Sequence, residues 1–379
     1  MIDTIKLRLG MKNQTGEMVE YDTFNYVKNI IKWYYGPNIK LSEQNDETYL
    51  KISYPRYYAS SNAYLITSNK ECLDFQREFI DTITRKVKEE LQDKYLIEEI
   101  KRCLEKVTLK LIRVDTPFTY RIPEEREEER TFSDYNPILN LMFNAYEEKN
   151  KGNIKIYSDF DGSTKFDIDD FQSYIWSDTE NIHAFNQKLQ VYNQDARIRE
   201  CYSLENYKKI RKEHPDLPTR IRMEYIKRIN RKEFTLEQFA NFDLVREYTL
   251  KFYTIILKEF FDEKIIQKLK EKNINELSEM LKEARKKTNF NIRNFIYENR
   301  SLIKDYETLR IAIMITSNSV NSGYKLCSTA KETLEYIEKN TGKKQFKTFQ
   351  ALFAIAKELK SEITKIRKMV AETKKGSKR

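Results

Sequence analysis

Three stretches of this 379-residue sequence alternate apolar and ionisable residues with a period of two, a pattern that fits a β-sheet packed on one face. In Leu189–Asp195, Leu189 and Val191 point one way and Gln190 and Tyr192 the other, with Arg197 and Glu200 just behind. In Leu109–Thr116, Arg113 and Asp115 share a face. In Thr219–Ile226, Arg220, Arg222 and Glu224 share one face, while Ile221, Met223 and Tyr225 take the core side. Set side by side, these strands gather a tyrosine, two carboxylates and several arginines on one side of a sheet. Those residue types suit phosphodiester transfer: a nucleophile, ligands for a divalent cation, and positive charge for phosphates.

The rest of the chain supplies a frame for that sheet. Ile2–Leu9 alternates as a half-buried strand, and Tyr49–Tyr54, Ala63–Thr67 and Asn153–Tyr157 read as further strands. Thr23–Tyr35 carries a helical stripe that stops at Gly36-Pro37, and Leu73–Leu91 is amphipathic through Phe79, Ile80, Ile83 and Val87. A second helical stretch runs to about Glu105, and Tyr135–Glu148 reads as a short helix. The charge run at 123–130 is a solvated segment. The acidic cluster Asp159, Asp161, Asp167, Asp169 and Asp170 lacks the ligand offsets of a calcium loop and reads as a turn and helix cap, with Asp161-Gly162 as the turn. From about Lys232 the period becomes helical, with Ser317–Gly323 as the clearest turn and a basic tail. The expected fold is α+β: an antiparallel-sheet domain over 1–234, followed by an α-helical domain over 235–379.

Charge and cysteine usage narrow the function class. A net charge of +10 favours a polyanionic partner, although lysine-rich composition alone also produces it. Cys72, Cys103, Cys201 and Cys327 are scattered, which argues against a disulfide framework or a zinc site and fits a reducing cytoplasm. No signal peptide and no membrane-spanning apolar run is read. His183 and His214 stand alone; His183, just ahead of the Tyr192 strand, could join a site there.

The chain resembles the replication initiators of filamentous phages and related plasmids, the gene II/X type of rolling-circle protein. The resemblance is carried over residues 1–234 by Met1-Ile2-Asp3, then Ile112-Arg113-Val114-Asp115-Thr116, then Val191-Tyr192-Asn193 with Glu200 downstream, then Arg222-Met223-Glu224-Tyr225-Ile226-Lys227-Arg228. Plasmid initiators of Gram-positive bacteria are similar in placing a tyrosine strand before a glutamate strand. The resemblance implies a nickase-like catalytic domain that cuts one strand at a replication origin through a 5′-phosphotyrosyl bond and rejoins it. It places the nucleophile on Tyr192 with Glu200 as a second catalytic residue, and Mg²⁺ or Mn²⁺ on Asp115 and Glu224.

The residues themselves leave an alternative: ion pairs of Asp115 with Arg113 and of Glu224 with Arg222. Arg113, Arg197, Arg199, Arg220, Arg222, Lys227 and Arg228 are the expected DNA contacts, with Tyr202, Tyr207 and Tyr225 available either to stack on bases or to fill the core. The wider nickase superfamily holds its metal with a His-hydrophobe-His pair, which this sequence lacks, so a carboxylate site would suit a hard cation better than zinc. The implied partners are the duplex origin and the single-stranded nick site, with a host helicase and a second copy of the chain as further candidates and no membrane. A non-catalytic DNA-binding replication protein, and a conjugative relaxase or transposase of similar chemistry, are the competing readings.

Overall fold

A computed structural model describes residues 2–12, 15–36, 38–66, 68–122, 138–139, 141–142, 155–157, 173–179, 184–341 and 346–376. The charge run, the acidic cluster, His183 and the basic tail beyond residue 376 lie outside the described residues, as does most of the expected Tyr135–Glu148 helix.

The protein is a mixed α+β structure built on one antiparallel sheet. Its strands are β1 (Thr4–Met11), β2 (Ile39–Gln44), β3 (Glu47–Ser53), β4 (Val107–Arg121), β5 (Lys155–Tyr157), β6 (Ser173–Ser177), β7 (Gln187–Asn193) and β8 (Arg220–Thr235), in the spatial order β2-β3-β1-β4-β8-β7-β6-β5. The two longest strands, β4 and β8, pair at its centre from Thr108↔Thr235 to Arg121↔Arg220. β2 and β3 form a hairpin whose turn residues, Asn45 and Asp46, take φ of 51° and 60°. Both are residue types that tolerate the left-handed region a tight hairpin needs.

Helices α1 (Met18–Tyr35), α2 (Tyr54–Ala59), α3 (Asn69–Leu91) and α4 (Ile97–Lys106) follow the first strands. α3 starts at a capping box in which Ser68 and Glu71 satisfy each other's backbone donors, and its Phe75, Phe79, Ile83 and Val87 stripe joins the main core with Leu7, Leu50, Leu109 and Val114. The expected strand at Ala63–Thr67 does not form: the chain there turns after Ser60, whose φ is 56°, and Ala63 is buried in a small cluster with Ile198, Ile210 and Leu217.

Beyond β7 come α5 (Gln194–Cys201) and α6 (Leu204–Glu213); beyond β8 come α7 (Leu236–Ala240), α8 (Leu250–Phe260), α9 (Glu263–Arg285), α10 (Ile292–Glu298), α11 (Tyr306–Thr316), α12 (Val320–Thr341) and α13 (Thr348–Gly376). The core does not divide where the texture of the sequence changes, at residue 235. Phe239, Phe252, Ile256 and Phe260, together with Phe349, Leu352 and Ile366 of α13, belong to the same buried cluster as the sheet. Phe252 meets Tyr225 at 5.1 Å and Phe260 meets Trp176 at 5.5 Å between ring centroids. Gln76 of α3 donates to the carbonyls of Phe239 and Phe242 at 2.6 and 3.0 Å. A second core lies further along, where Leu277 and Leu281 of α9 pack with Ile292, Ile296, Leu309, Ile313, Ala330 and Leu334. No helix among the described residues is long and apolar enough to cross a membrane.

Candidate active site on the second face of the sheet

The alternation read in the sequence sets the site. Leu189, Val191, Ile221, Met223, Tyr225 and Val114 are buried on the helix-packed face. The residues between them turn to the other face, and the register aligns them: Tyr192 stands opposite Arg222, Gln190 opposite Glu224, Pro117 opposite Glu224, and Asp115 opposite Ile226 and Thr4. The Tyr192 strand lies two residues earlier than expected. It ends at Asn193, whose side chain accepts from the backbone N–H groups of Asp195 and Ala196 and so caps α5.

A cavity of about 210 Å³ opens on this face, lined among others by Asp3, Lys51, Arg113, Asp115, Lys188, Tyr192, Gln194, Arg197 and Glu224. In it the Tyr192 hydroxyl donates to Glu224 Oε1 at 2.6 Å. Burial, then the Glu224 charge, push the Tyr192 phenol well above its ordinary range. The hydroxyl therefore keeps its proton at rest, with a carboxylate placed to take it. Glu224 is the charged member of a carboxyl pair. Burial would raise its pKa, but Arg222 and hydrogen bonds from Asp3 and Tyr192 outweigh that and hold it below the usual carboxylate range. Asp3, also buried, is pushed up to about 7, chiefly by burial, with Arg222 opposing and Glu224 adding to the rise. Asp3 Oδ1 is buried without a partner when ionised, which a proton shared toward Glu224 resolves.

The arginines expected to meet DNA divide into two groups. Arg222 is 2 % exposed and reaches Asp3 Oδ2 at 2.8 Å, Thr119 Oγ1 at 3.2 Å and Glu224 Oε1 at 3.3 Å. Arg220 is buried between Asp216, at 2.6 and 2.9 Å, and the carbonyl of Ala63 at 2.7 Å. Both hold the fold together rather than facing solvent. Arg113 grips Asp115 with two hydrogen bonds, one at 2.6 Å from Nε. Lys227 bonds Gln187 at 3.1 Å beside Tyr225, and Arg228 lies over the Phe185 ring at 5.0 Å. Arg197 lines the cavity and pairs with Glu200 on the outside of α5, where Arg199 is also exposed. Glu200 is not among the residues lining the cavity. His214 caps the end of α6.

The ion pairs that the sequence left open are present, and they bear on the metal. The oxygens of Asp115 are engaged by Arg113, and Glu224 Oε1 takes both Tyr192 and Arg222. Among the described residues, the cavity wall carries Lys51, Arg56, Arg113, Lys188 and Arg197 against Asp3, Asp115 and Glu224. As it stands, this donor set does not fit a resident divalent cation, which would have to displace both arginines; it fits an anion.

Sequence reasoning missed Asp3, Lys51, Lys188 and Gln194. Gln194 is 2 % exposed and fixed by its Nε2 donating to the Asn62 carbonyl at 2.7 Å, which leaves Oε1 without a partner at the cavity. Asp3 had one signal, its place in the Met1-Ile2-Asp3 motif; the others had none beyond alternation. Compared with protein-family models, curated proteins and solved structures, the chain matches none.

Proposed function

We propose that this chain is a rolling-circle replication initiator that nicks one strand of DNA at an origin and rejoins it through Tyr192. One observation carries the reading: a buried tyrosine hydroxyl 2.6 Å from a carboxylate held in its charged form, in a cavity whose wall carries more cations than carboxylates. The chemistry follows from those groups. Glu224 takes the phenolic proton as Tyr192 Oη attacks phosphorus. The bond from phosphorus to the 3′-oxygen breaks, and that oxygen takes a proton from water. A 5′-phosphotyrosyl ester remains, and attack by the 3′-hydroxyl reverses the step. The cations on the wall stabilise the charge on the non-bridging oxygens. Glu200 keeps no direct part in this scheme, and Mg²⁺ or Mn²⁺ enters only if Asp115 and Glu224 exchange their arginines for it. The helices that follow β8 are proposed to contact duplex DNA or a second copy of the chain, in a cytoplasmic setting.

A non-catalytic DNA-binding role has one observation in its favour. Tyr192 is 7 % exposed and both carboxylates sit in arginine pairs, as a purely structural polar network would have them. Supercoiled plasmid carrying the cognate origin separates the two. The nicking reading expects relaxed circles and a tyrosyl-DNA adduct at Tyr192 by mass spectrometry, with Tyr192→Phe inactive but still bound to DNA. Full nicking by that variant, or an adduct on another tyrosine, sinks it. Cleavage in EDTA, with and without added Mg²⁺ or Mn²⁺, decides whether a metal displaces the arginines.

A further inference from the structure

The sheet register places five cations in one line. Lys40 stands opposite Lys51, Lys51 opposite Lys6, Lys6 opposite Arg113, and Arg113 opposite Arg228, across β2, β3, β1, β4 and β8 in turn. They lie on the site face, because their sequence neighbours Ile39, Leu50, Ile52, Leu7 and Val114 fill the core. Like charges directly opposite each other destabilise a sheet. Arg113 pairs with Asp115, whereas among the described residues no carboxylate lies within ion-pair distance of Lys6, Lys40 or Lys51. Lys6 rests over the Tyr49 ring at 4.3 Å.

The adjoining line of the same face differs. There Arg8 is paired with Glu47, and Lys110 stands opposite Glu233. A face that neutralises one line and leaves the next charged is shaped for an anion that runs across the strands.

We infer that Lys40, Lys51, Lys6, Arg113 and Arg228 form a backbone track for single-stranded DNA that leads into the Tyr192 cavity. The inference rests on the nicking reading for the choice of DNA as the polyanion. Lys51 and Arg113 belong to both the line and the cavity wall, so the track and the nucleophile are continuous. Five strands at about 4.8 Å spacing give a line of about 19 Å. With one phosphate per about 3.4 Å of a stacked strand, that is the length of about five nucleotides. A duplex would present two backbones about 6 or 12 Å apart across its grooves. The neutralised Arg8–Lys110 line leaves no second row to meet the other one.

The test uses the full chain and fluorescence anisotropy of a labelled 20-nucleotide oligo-dT at several salt concentrations. The variant Lys6→Gln/Lys40→Gln/Lys51→Gln is expected to flatten the slope of log affinity against log salt by about 2, at about 0.7 per lost single-strand phosphate contact. Lys282→Gln/Lys286→Gln/Lys331→Gln, with the same charge change in the distal helices, is expected to leave it unchanged. The track variant should also melt no lower than wild type at low salt, because a line of repulsions has been removed. If it unfolds, Lys40→Gln alone, on the exposed edge strand, should flatten the slope by about 0.7. An unchanged slope, an equal effect of the distal variant, or an equal loss for duplex and single strand overturns the track. Should the slope flatten while wild type fails to nick its origin, the nicking reading falls and the track stands. Nicking with an unaltered slope has the opposite meaning.

Discussion

Arg222→Met separates a buried structural arginine from a DNA contact. In the fold Arg222 is 2 % exposed and is the shared counter-charge of Asp3 and Glu224, with Thr119 as a third partner. Methionine fills comparable space but leaves both carboxyls buried without their cation. Breaking a buried pair by removing one partner costs about 3–5 kcal/mol. At about 2.1 cal/mol/K per residue, 379 residues unfolding together have an entropy of about 0.8 kcal/mol/K, so Tm should fall by about 4–6 °C. The fall is larger in proportion if the sheet core melts apart from the distal helical core. Thermal melting followed by circular dichroism at neutral pH measures it. Adding Glu224→Gln to Arg222→Met should recover part of the loss, since the charged member of the carboxyl pair is then gone. The DNA-contact reading expects the reverse: an unchanged Tm and a large loss of oligonucleotide affinity. A Tm within 1 °C of wild type would refute the reasoning.

Two further outcomes follow from the packing and the charge pair. The fragment 1–234 should not melt cooperatively and should bind a hydrophobic dye, because Phe239, Phe252, Ile256, Phe260 and Leu352 complete the core over the sheet; a soluble fragment with a sharp transition would contradict the shared core. Asp3→Asn should change the pH dependence of stability. The folded pKa of Asp3, about 7, lies above its ordinary 3.8, so its contribution is fully present below about pH 4 and is lost as pH rises through about 7. The variant lacks that loss, and its Tm relative to wild type should rise between pH 4 and 7; parallel curves would count against a protonated Asp3.

Much of the site face was legible because it depends on period alone. The three alternating stretches fall largely in strands β4, β7 and β8, and in β7 and β8 the apolar and ionisable residues fall on the faces that the alternation implies; in β4 a bulge between Leu111 and Arg113 switches the faces, so that Leu109 and Leu111 enter the core while Arg113 and Asp115 face the site. The helices at 23–35 and 73–91 were legible for the same reason, each extending further toward its start in the fold. What alternation cannot give is the partner across the sheet. Asp3 matters through Arg222, 219 positions away. The line of five cations is invisible until the register of five strands is known. The helices after residue 235 show an amphipathic stripe in the sequence, but a stripe does not name what it covers, and here α8 and half of α13 cover the sheet itself. Ala63–Thr67 failed as a strand because its local pattern was overruled by the turn after Ser60 and by Ala63 packing against α5 and α6.

The division of labour between arginine and lysine on this face has a physical reason. Arg113, Arg220 and Arg222 hold carboxylates with planar forks in which several donors point at fixed angles, and such pairing suits groups taken out of water. Lys6, Lys40 and Lys51 instead carry compact charges on flexible stems, which can follow a phosphate without a fixed geometry. Of the arginines expected from the sequence to meet DNA, Arg220 and Arg222 therefore serve the fold and Arg113 serves both the cavity and the track, while lysines that drew no attention there attract the strand. On this account arginine substitutions should act first on folding and on the protonation of Tyr192, and lysine substitutions first on salt-dependent binding. Lys51, on the cavity wall, takes part in both; a Lys6 or Lys40 variant that abolished nicking at saturating oligonucleotide would show that the two roles are not separate.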